Sequence, residues 1–173
     1  MTAPVAVFCI GNPSRGDDAL GPFICGELGK RPEIGNGQVE LIEDFQLQIE
    51  HALDLVGRQL VFFIDASAAT PAPVDFRRIF ASTAVAHTSH ALSPEAVLQV
   101  YCQTEGQMPP PAFVLGVRGE SFELGAALST AARANAAAAL ALLANLLTRP
   151  ELAVWQSLSS GAIETTAAMG DAG

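Results

Sequence analysis

Acidic side chains follow three apolar runs of the chain, at the points where those runs end. They are Asp17, Asp18, Glu43, Asp44 and Asp65. A histidine, His90, lies in a loop further along, just before a predicted helix. Carboxylate oxygens and an imidazole nitrogen form a ligand set suited to a divalent transition metal. The pattern therefore indicates a candidate metal site built from Asp18, Asp65 and His90.

Each of these residue types also has a purely structural interpretation. An aspartate that closes a strand is often an Asx turn or a helix cap, which applies to Asp65. A carboxylate ahead of a helix is stabilised by the helix dipole, which would explain either Asp17 or Asp18. The other histidines, His51 and His87, are expected to be exposed loop residues without a role. Both interpretations stay open at this point.

Five strands are predicted, because short apolar or alternating runs end at turn residues or at an acidic residue. They cover residues 5–10, 39–42, 60–64, 74–80 and 112–117. Helical spacing or a helix-start signal predicts helices over 19–30, 45–56, 93–102 and 125–147. The strand over 74–80 alternates polar and apolar residues, so we expect it to be the more exposed one.

Strands that alternate with helices predict an α/β fold: a three-layer, doubly wound, mostly parallel twisted sheet of about five strands with helices on both faces. In a 2-1-3-4-5 strand order, the first and third strands are neighbours where the order reverses. Asp18 and Asp65 would then face one crevice, with His90 at the same rim. Residues 1–150 are expected to form this single domain, and 151–173 a C-terminal tail, loosely ordered or docked on it.

Composition excludes several classes of partner. The chain has 173 residues and a formal charge of −9, with nine scattered Lys and Arg residues. A surface for nucleic acid or an anionic membrane needs clustered cations, so neither is expected as a partner. Three scattered cysteines, no signal-peptide pattern and no apolar run of about 20 residues favour a cytoplasmic protein.

Other chemistries lack their motifs. The loop Gly11–Gly16 has neither the Lys-Ser/Thr of a phosphate loop nor the G-x-G-x-x-G of a dinucleotide fold, which disfavours a nucleotide-binding enzyme. No G-x-S-x-G motif of a serine hydrolase occurs. Cys9 lies in an apolar strand and is expected to be a buried, inert thiol.

Four motifs together resemble the hydrogenase maturation endopeptidases. Residues 11–21 read GNPSRGDDALG and are similar to the family pattern G-N-x-x-x-x-D-[DE]-x-x-G. Residues 62–66, FFIDA, resemble its apolar strand closed by D-A, and residues 89–92, SHAL, its S-x-H or S-H loop. A weaker likeness, residues 115–121, precedes the last long helix. The likeness spans about residues 4–148.

The resemblance implies an activity and a site. Members of that family remove a C-terminal peptide from the large subunit of nickel–iron hydrogenases after nickel insertion. Asp18, Asp65 and His90 match the family's metal-binding trio and are the implied catalytic residues. The implied metal is the nickel of the substrate, with no resident cofactor. The implied partner is the hydrogenase large-subunit precursor, bound by a monomer of this chain.

One segment departs from the family pattern. Many members carry a D-G-G-T loop after the second strand, whereas this chain has EDFQLQIE over residues 43–50. The bulkier acidic segment resembles the branch that serves soluble NAD-reducing hydrogenases. A different class of function, a non-proteolytic metal-binding maturation chaperone or scaffold, requires the same three ligands and is the alternative hypothesis.

Overall fold

The computed structural model describes residues 2–83 and 92–160, in which five strands and five α-helices are found. The strands are β1 (Val5–Ile10), β2 (Val39–Asp44), β3 (Leu60–Ser67), β4 (Val74–Ile79) and β5 (Ala112–Arg118). The α-helices are α1 (Leu20–Leu28), α2 (Pro32–Gly35), α3 (Pro94–Glu105), α4 (Thr130–Thr148) and α5 (Leu152–Leu158). Two 3-10 helices, Gly16–Ala19 and Ile49–Leu55, complete the described part.

The five strands form one mixed, mostly parallel sheet in the order β2-β1-β3-β5-β4. The predicted α/β class is confirmed, but the predicted 2-1-3-4-5 order is wrong, because β4 lies at the edge and pairs antiparallel with β5. Residues 68–73 alone join β3 to β4, and a parallel neighbour requires a crossover of a dozen or more residues. The position beside β3 is therefore taken by β5, which returns through α3.

Helices cover both faces of the sheet, as the three-layer prediction requires. On one face, α1, α4 and α5 pack on alternate strand residues, including Val7, Phe62 and Phe113. On the other face, the 3-10 helix Ile49–Leu55 and α3 cover Phe8 and Phe63, which stack at 4.8 Å between ring centroids. Strands buried on both faces explain why the runs in the sequence are continuously apolar.

Two helix starts follow the expected capping chemistry. Ser93 accepts a hydrogen bond from the Ala96 amide at 3.1 Å, which begins α3 where the sequence predicts it. Ser129 does the same for the Ala132 amide, so α4 begins at Thr130 and not at Gly125. By length and composition α4 could cross a membrane, with a mean hydropathy of 1.3. Its alanine and leucine face packs on the sheet core.

The helix predicted over 45–56 is wrong in type and length. Only Ile49–Leu55 is helical, and it is a 3-10 helix. Four of the five apolar residues that suggested the helix are exposed, namely Phe45, Ile49, Leu53 and Val56. Leu47, Ala52 and Leu55 instead reach the core, because the tighter 3-10 turn changes which residues face the sheet.

The first ten residues of the predicted tail pack on the domain. Trp155 of α5 is fully buried, donates its indole N–H to the Leu146 carbonyl at 2.9 Å, and makes edge contacts with Phe62 and Phe113. The Ser160 amide then donates to the Phe76 carbonyl on β4 at 2.8 Å. The division at residue 150 stays a prediction, and residues 161–173 lie outside the described part.

Candidate functional site

The loop after β1 is held by two close backbone approaches. A side chain at Gly11, whose φ is +153°, would overlap the Asp18 carbonyl oxygen. A side chain at Gly21 would overlap the Ile10 carbonyl, so α1 can pack this close to β1 only with glycine there. These contacts explain the first and last glycines of the motif over residues 11–21. They fold the loop back over the end of β1 and place Asp18 at the carboxyl end of that strand.

Asp17 is the structural member of the acidic pair. Its side chain is fully buried, and its carboxylate accepts four hydrogen bonds: from the amides of Glu120, Ser121 and Ser129 and from the Ser129 hydroxyl, at 2.7–3.1 Å. Burial alone would raise the pKa of Asp17, but these donors outweigh it and hold the pKa below its usual value. Asp17 thus ties the loop after β1 to the start of α4.

Asp18 and Asp65 line the same cavity. This cavity, of about 290 Å³, lies at the carboxyl ends of β1 and β3 and has apolar walls that include Phe45, Leu47 and Leu92. Asp18 is half-buried, and one of its oxygens accepts the Asn12 amide at 2.8 Å, which orients the carboxylate. The structure therefore brings together two of the three predicted site residues.

The environment of Asp65 disfavours its charged form. The side chain is open to the cavity but lies against apolar walls, and that burial together with the negative charge of Asp18 raises the pKa of Asp65 to about 6. A hydrogen bond from the Ala66 amide opposes the shift. Asp65 lies within β3, which continues two residues beyond it to Ser67. Two neighbouring carboxylates, one titrating near neutral pH, can share a proton or a cation.

The third predicted ligand, His90, lies outside the described residues, as does His87. Among the described residues, no group of three or more His, Cys, Asp or Glu side chains forms a metal site. The expectation that Asp18, Asp65 and His90 act together therefore stays a prediction. Carboxylate oxygens with one imidazole would suit a nickel ion, which accepts mixed oxygen and nitrogen ligands.

The expectation for His51 is wrong, because this residue is buried with 7% of its surface exposed. Its Nδ1 accepts the Gln48 amide at 2.8 Å, and its Nε2 lies 3.3 Å from an Asp44 oxygen. Gln48 and His51 form a reciprocal capping box that begins the 3-10 helix. The usual capping-box signature pairs Ser or Thr with Glu or Gln, so Gln48 and His51 gave no standard signal in the sequence. Since both ring nitrogens are engaged, His51 orients Asp44 and is not a free ligand.

Cys9 is buried, as expected for an apolar strand. A hydrogen bond with Cys25 and burial among apolar side chains raise the pKa of the Cys9 thiol far above its usual range. A protonated, buried thiol cannot act as a nucleophile, so Cys9 belongs to the core. Glu43, its register partner on β2, is exposed and does not line the cavity of Asp18 and Asp65.

Comparison with solved structures places this geometry in a known fold. The E. coli hydrogenase maturating endopeptidase HybD is 26% identical, with a TM-score of 0.62 over 84% of this chain and 92% of that one. The chain has the fold of the hydrogenase maturation endopeptidases. The protease HycI of Thermococcus kodakarensis KOD1 is 22% identical, with a TM-score of 0.62 over 85% and 94% of the two chains.

A third solved structure has the same fold. The hydrogenase 2 maturation peptidase from a Thaumarchaeota archaeon is 22% identical, with a TM-score of 0.60 over 83% of this chain and 97% of that one. No family model and no curated protein matches the sequence. The hydrogenase maturation endopeptidase fold is thus recognised through structure, at 14–26% identity to its solved members.

Proposed function

We propose that this protein is an endopeptidase that removes the C-terminal peptide from the precursor of a nickel–iron hydrogenase large subunit after nickel insertion. The observation that carries the proposal is the shared cavity of Asp18 and Asp65, found in a fold whose solved neighbours are hydrogenase maturation proteases. Two carboxylates at the carboxyl edge of a parallel sheet occupy the position where such folds place their ligands.

In this proposal the nickel arrives as part of the substrate. Asp18 and Asp65, with His90 as the third ligand, bind the ion in the precursor and thereby position the peptide bond next to the cavity. A precursor without nickel lacks this anchor, so the enzyme discriminates between the two forms by the ligands it offers. The Asn12 amide holds Asp18 in place for that contact.

Hydrolysis requires an attacking water and a group that takes its proton. Asp65 is the proposed acceptor of this proton, because it is the exposed carboxylate that lines the cavity together with Asp18. The water oxygen attacks the carbonyl carbon of the scissile bond, the C–N bond breaks, and the proton passes to the leaving amine. When nickel lies nearby, its charge favours the ionised form of Asp65, so the carboxylate is ready to act as a base.

The segment over residues 43–50 supports a narrower proposal about the substrate. Phe45, Gln46 and Leu47 line the cavity beside the two carboxylates. A bulky segment in that position selects a different precursor from a glycine loop. Because residues 43–50 also resemble the branch that serves soluble NAD-reducing hydrogenases, we infer that the substrate belongs to such a hydrogenase and that the protein works in the cytoplasm. A set of precursors from several hydrogenase classes, compared by kcat/KM, tests the inference; an equal or lower value for the NAD-reducing class would contradict it.

The central test is cleavage of purified precursor. Nickel-loaded precursor is expected to lose its C-terminal peptide, and nickel-free precursor to stay intact, as read by mass spectrometry. Asp18→Ala and His90→Ala should each abolish cleavage. If both variants cleave at the wild-type rate, the site assignment is wrong. Tight binding of the nickel-loaded precursor without any shortening would identify the chaperone or scaffold function instead.

A further inference from the structure

One row of residues crosses all five strands at the level of the candidate site. Asp44 pairs with Ile10, and Asp65 pairs with Gly116, which in turn pairs with Asp75. Cys9 pairs with Ile64 on the parallel strands β1 and β3. The next residues along these two strands, Ile10 and Asp65, therefore lie side by side. The side chains of Asp44, Ile10, Asp65 and Asp75 face the side of the sheet covered by the 3-10 helix Ile49–Leu55 and α3, because side chains alternate along a strand. Gly116 has no side chain, and the Thr70 side chain occupies the space that a Cβ at this position would take.

Three cavities adjoin along this row. The cavity of Asp18 and Asp65 shares Asp18, Phe45 and Gln46 with a polar cavity of about 400 Å³ on the β2 side. It shares Asp65 with a second polar cavity, of about 340 Å³, which lies above β5 and β4. We name the three together the rim groove, and its two polar ends the β2 arm and the β4 arm. The two site carboxylates lie in the middle of the rim groove.

The length of the rim groove matches a short extended peptide. Five strands at about 4.8 Å spacing span about 19 Å, and an extended chain advances about 3.3 Å per residue, so about six residues fit. The arms are lined by hydrogen-bonding side chains, including Asn12 and Gln48 at one end and Ser67 and Thr70 at the other. Such groups can bond the backbone of a peptide without requiring one sequence.

The charge of the rim groove favours a cationic segment. Four carboxylates line it, Asp18, Asp44, Asp65 and Asp75, against two arginines, Arg15 and Arg77. Arg77 is also held by acidic neighbours, at 3.8 Å from Asp75 and 3.6 Å from Glu95. The negative excess attracts positive charge over several ångströms.

We propose that the rim groove binds the processed segment of the substrate as an extended, cationic peptide of about six residues that runs across the strands from the β2 arm to the β4 arm. The inference rests on the proposed function, and it adds where the peptide lies on each side of the scissile bond. The bond is positioned at the central carboxylates, so the two arms hold opposite sides of it.

Photo-crosslinking during cleavage tests this path. The crosslinker p-benzoylphenylalanine is placed at position 46, between the centre and the β2 arm, or at position 69, in the β4 arm. Matched controls carry it at position 38 or 68, which are exposed and line none of the three cavities. We expect one of the two groove positions to label the processed large subunit and the other to label the released peptide, with at most background labelling from the controls.

The outcomes separate this inference from the proposed function. If the wild-type protein cleaves but both groove positions label the same product, or label no more than the controls, the proposed path is wrong. If the precursor stays intact but is labelled on both sides of the expected bond, the path holds and hydrolysis is wrong. If the precursor is neither cleaved nor labelled, both are wrong.

A steric variant gives an independent readout. Ala69→Trp fills the β4 arm at an exposed position, whereas Ala68→Trp places the same side chain next to it, outside the rim groove. We expect Ala69→Trp to raise KM for the nickel-loaded precursor about tenfold with little change in kcat, and Ala68→Trp to leave both unchanged. Circular dichroism checks that both variants are folded. An unchanged KM in folded Ala69→Trp would exclude the β4 arm from the path.

Discussion

Asp17 and Asp18 are adjacent in the chain, yet the fold gives them opposite environments. Asp17 is buried, and four hydrogen bonds from the segment ahead of α4 satisfy its carboxylate. Asp18 opens into a cavity opposite a second carboxylate, Asp65, and its side chain accepts a hydrogen bond from the Asn12 amide. The same residue type therefore stabilises the loop at one position and is available for chemistry at the next.

The loop after β1 is thus made rigid by a carboxylate other than the one that opens into the cavity. Asp17 joins residues more than 100 positions apart in the chain, since Ser129 and Glu120 donate to it. Because Asp18 is the next residue in the chain, fixing the backbone at Asp17 also fixes the backbone at Asp18.

The largest effect is expected on activity, from Asp18→Asn. Loss of one charged ligand should lower kcat/KM for the nickel-loaded precursor by about 10²- to 10³-fold. The free energy of unfolding should stay within about 1 kcal/mol of the wild type, because the asparagine oxygen can still accept the Asn12 amide. Steady-state cleavage assays and urea unfolding measure the two quantities. Asp54→Asn, also half-buried and outside the cavities, is the control.

The next effect is expected on stability, from Asp17→Asn. An amide cannot accept hydrogen bonds on both sides as the carboxylate does, so at least one backbone amide among Glu120, Ser121 and Ser129 loses its partner. We expect the free energy of unfolding to fall by about 3 kcal/mol. Activity per folded molecule should fall much less than in Asp18→Asn, because Asp18 keeps its charge. A variant as stable as Asp18→Asn in urea would show that Asp17 does not hold the loop.

The stabilising effect of Asp17 should disappear in acid. Because its pKa is lowered in the folded state, its contribution is present above the unfolded pKa of about 3.9 and is lost as the pH falls through the folded pKa. The stability gap between the wild type and Asp17→Asn should therefore narrow below about pH 4. Unfolding curves from pH 7 to pH 2.5 measure it. If the difference in stability between the wild type and Asp17→Asn does not change with pH, the destabilisation comes from altered packing and not from the lost charge.

The smallest effect on stability is expected from Asp65→Asn, and it has the opposite sign. The pKa of Asp65 is raised to about 6, so the folded protein binds this proton more tightly, and stability falls as the pH rises from about 4 to 6. Removing the charge should stabilise the protein above pH 6, by about 1 kcal/mol or less because the side chain opens to solvent. Below pH 4 the two melting temperatures should converge. A lower melting temperature of Asp65→Asn at pH 8 would refute this account.

The sheet itself was largely predictable. Apolar runs at residues 5–10, 60–64 and 112–117 correspond to β1, β3 and β5, because strands buried on both faces require such runs whatever their neighbours are. The position of β4 in the sheet was not predictable from the sequence. Strand order depends on which strand can pair with β4, and the connection 68–73 is too short for a parallel crossover. The helix predicted over residues 45–56 was wrong, because most of the apolar residues at helical spacing there are exposed around a 3-10 helix.

The candidate site divides in the same way. The types and order of Asp17, Asp18 and Asp65 along the chain indicated chemistry at the carboxyl edge of a parallel sheet, since that follows from strand ends alone. The helix-dipole argument did not distinguish Asp17 from Asp18, and the resemblance selected Asp18. The physical reason lies in the folded chain, where Glu120 and Ser129 donate to Asp17. Tertiary structure decided which carboxylate is satisfied and which is free. It also decided that three cavities share lining residues along one row, because register across the five strands sets which side chains lie side by side.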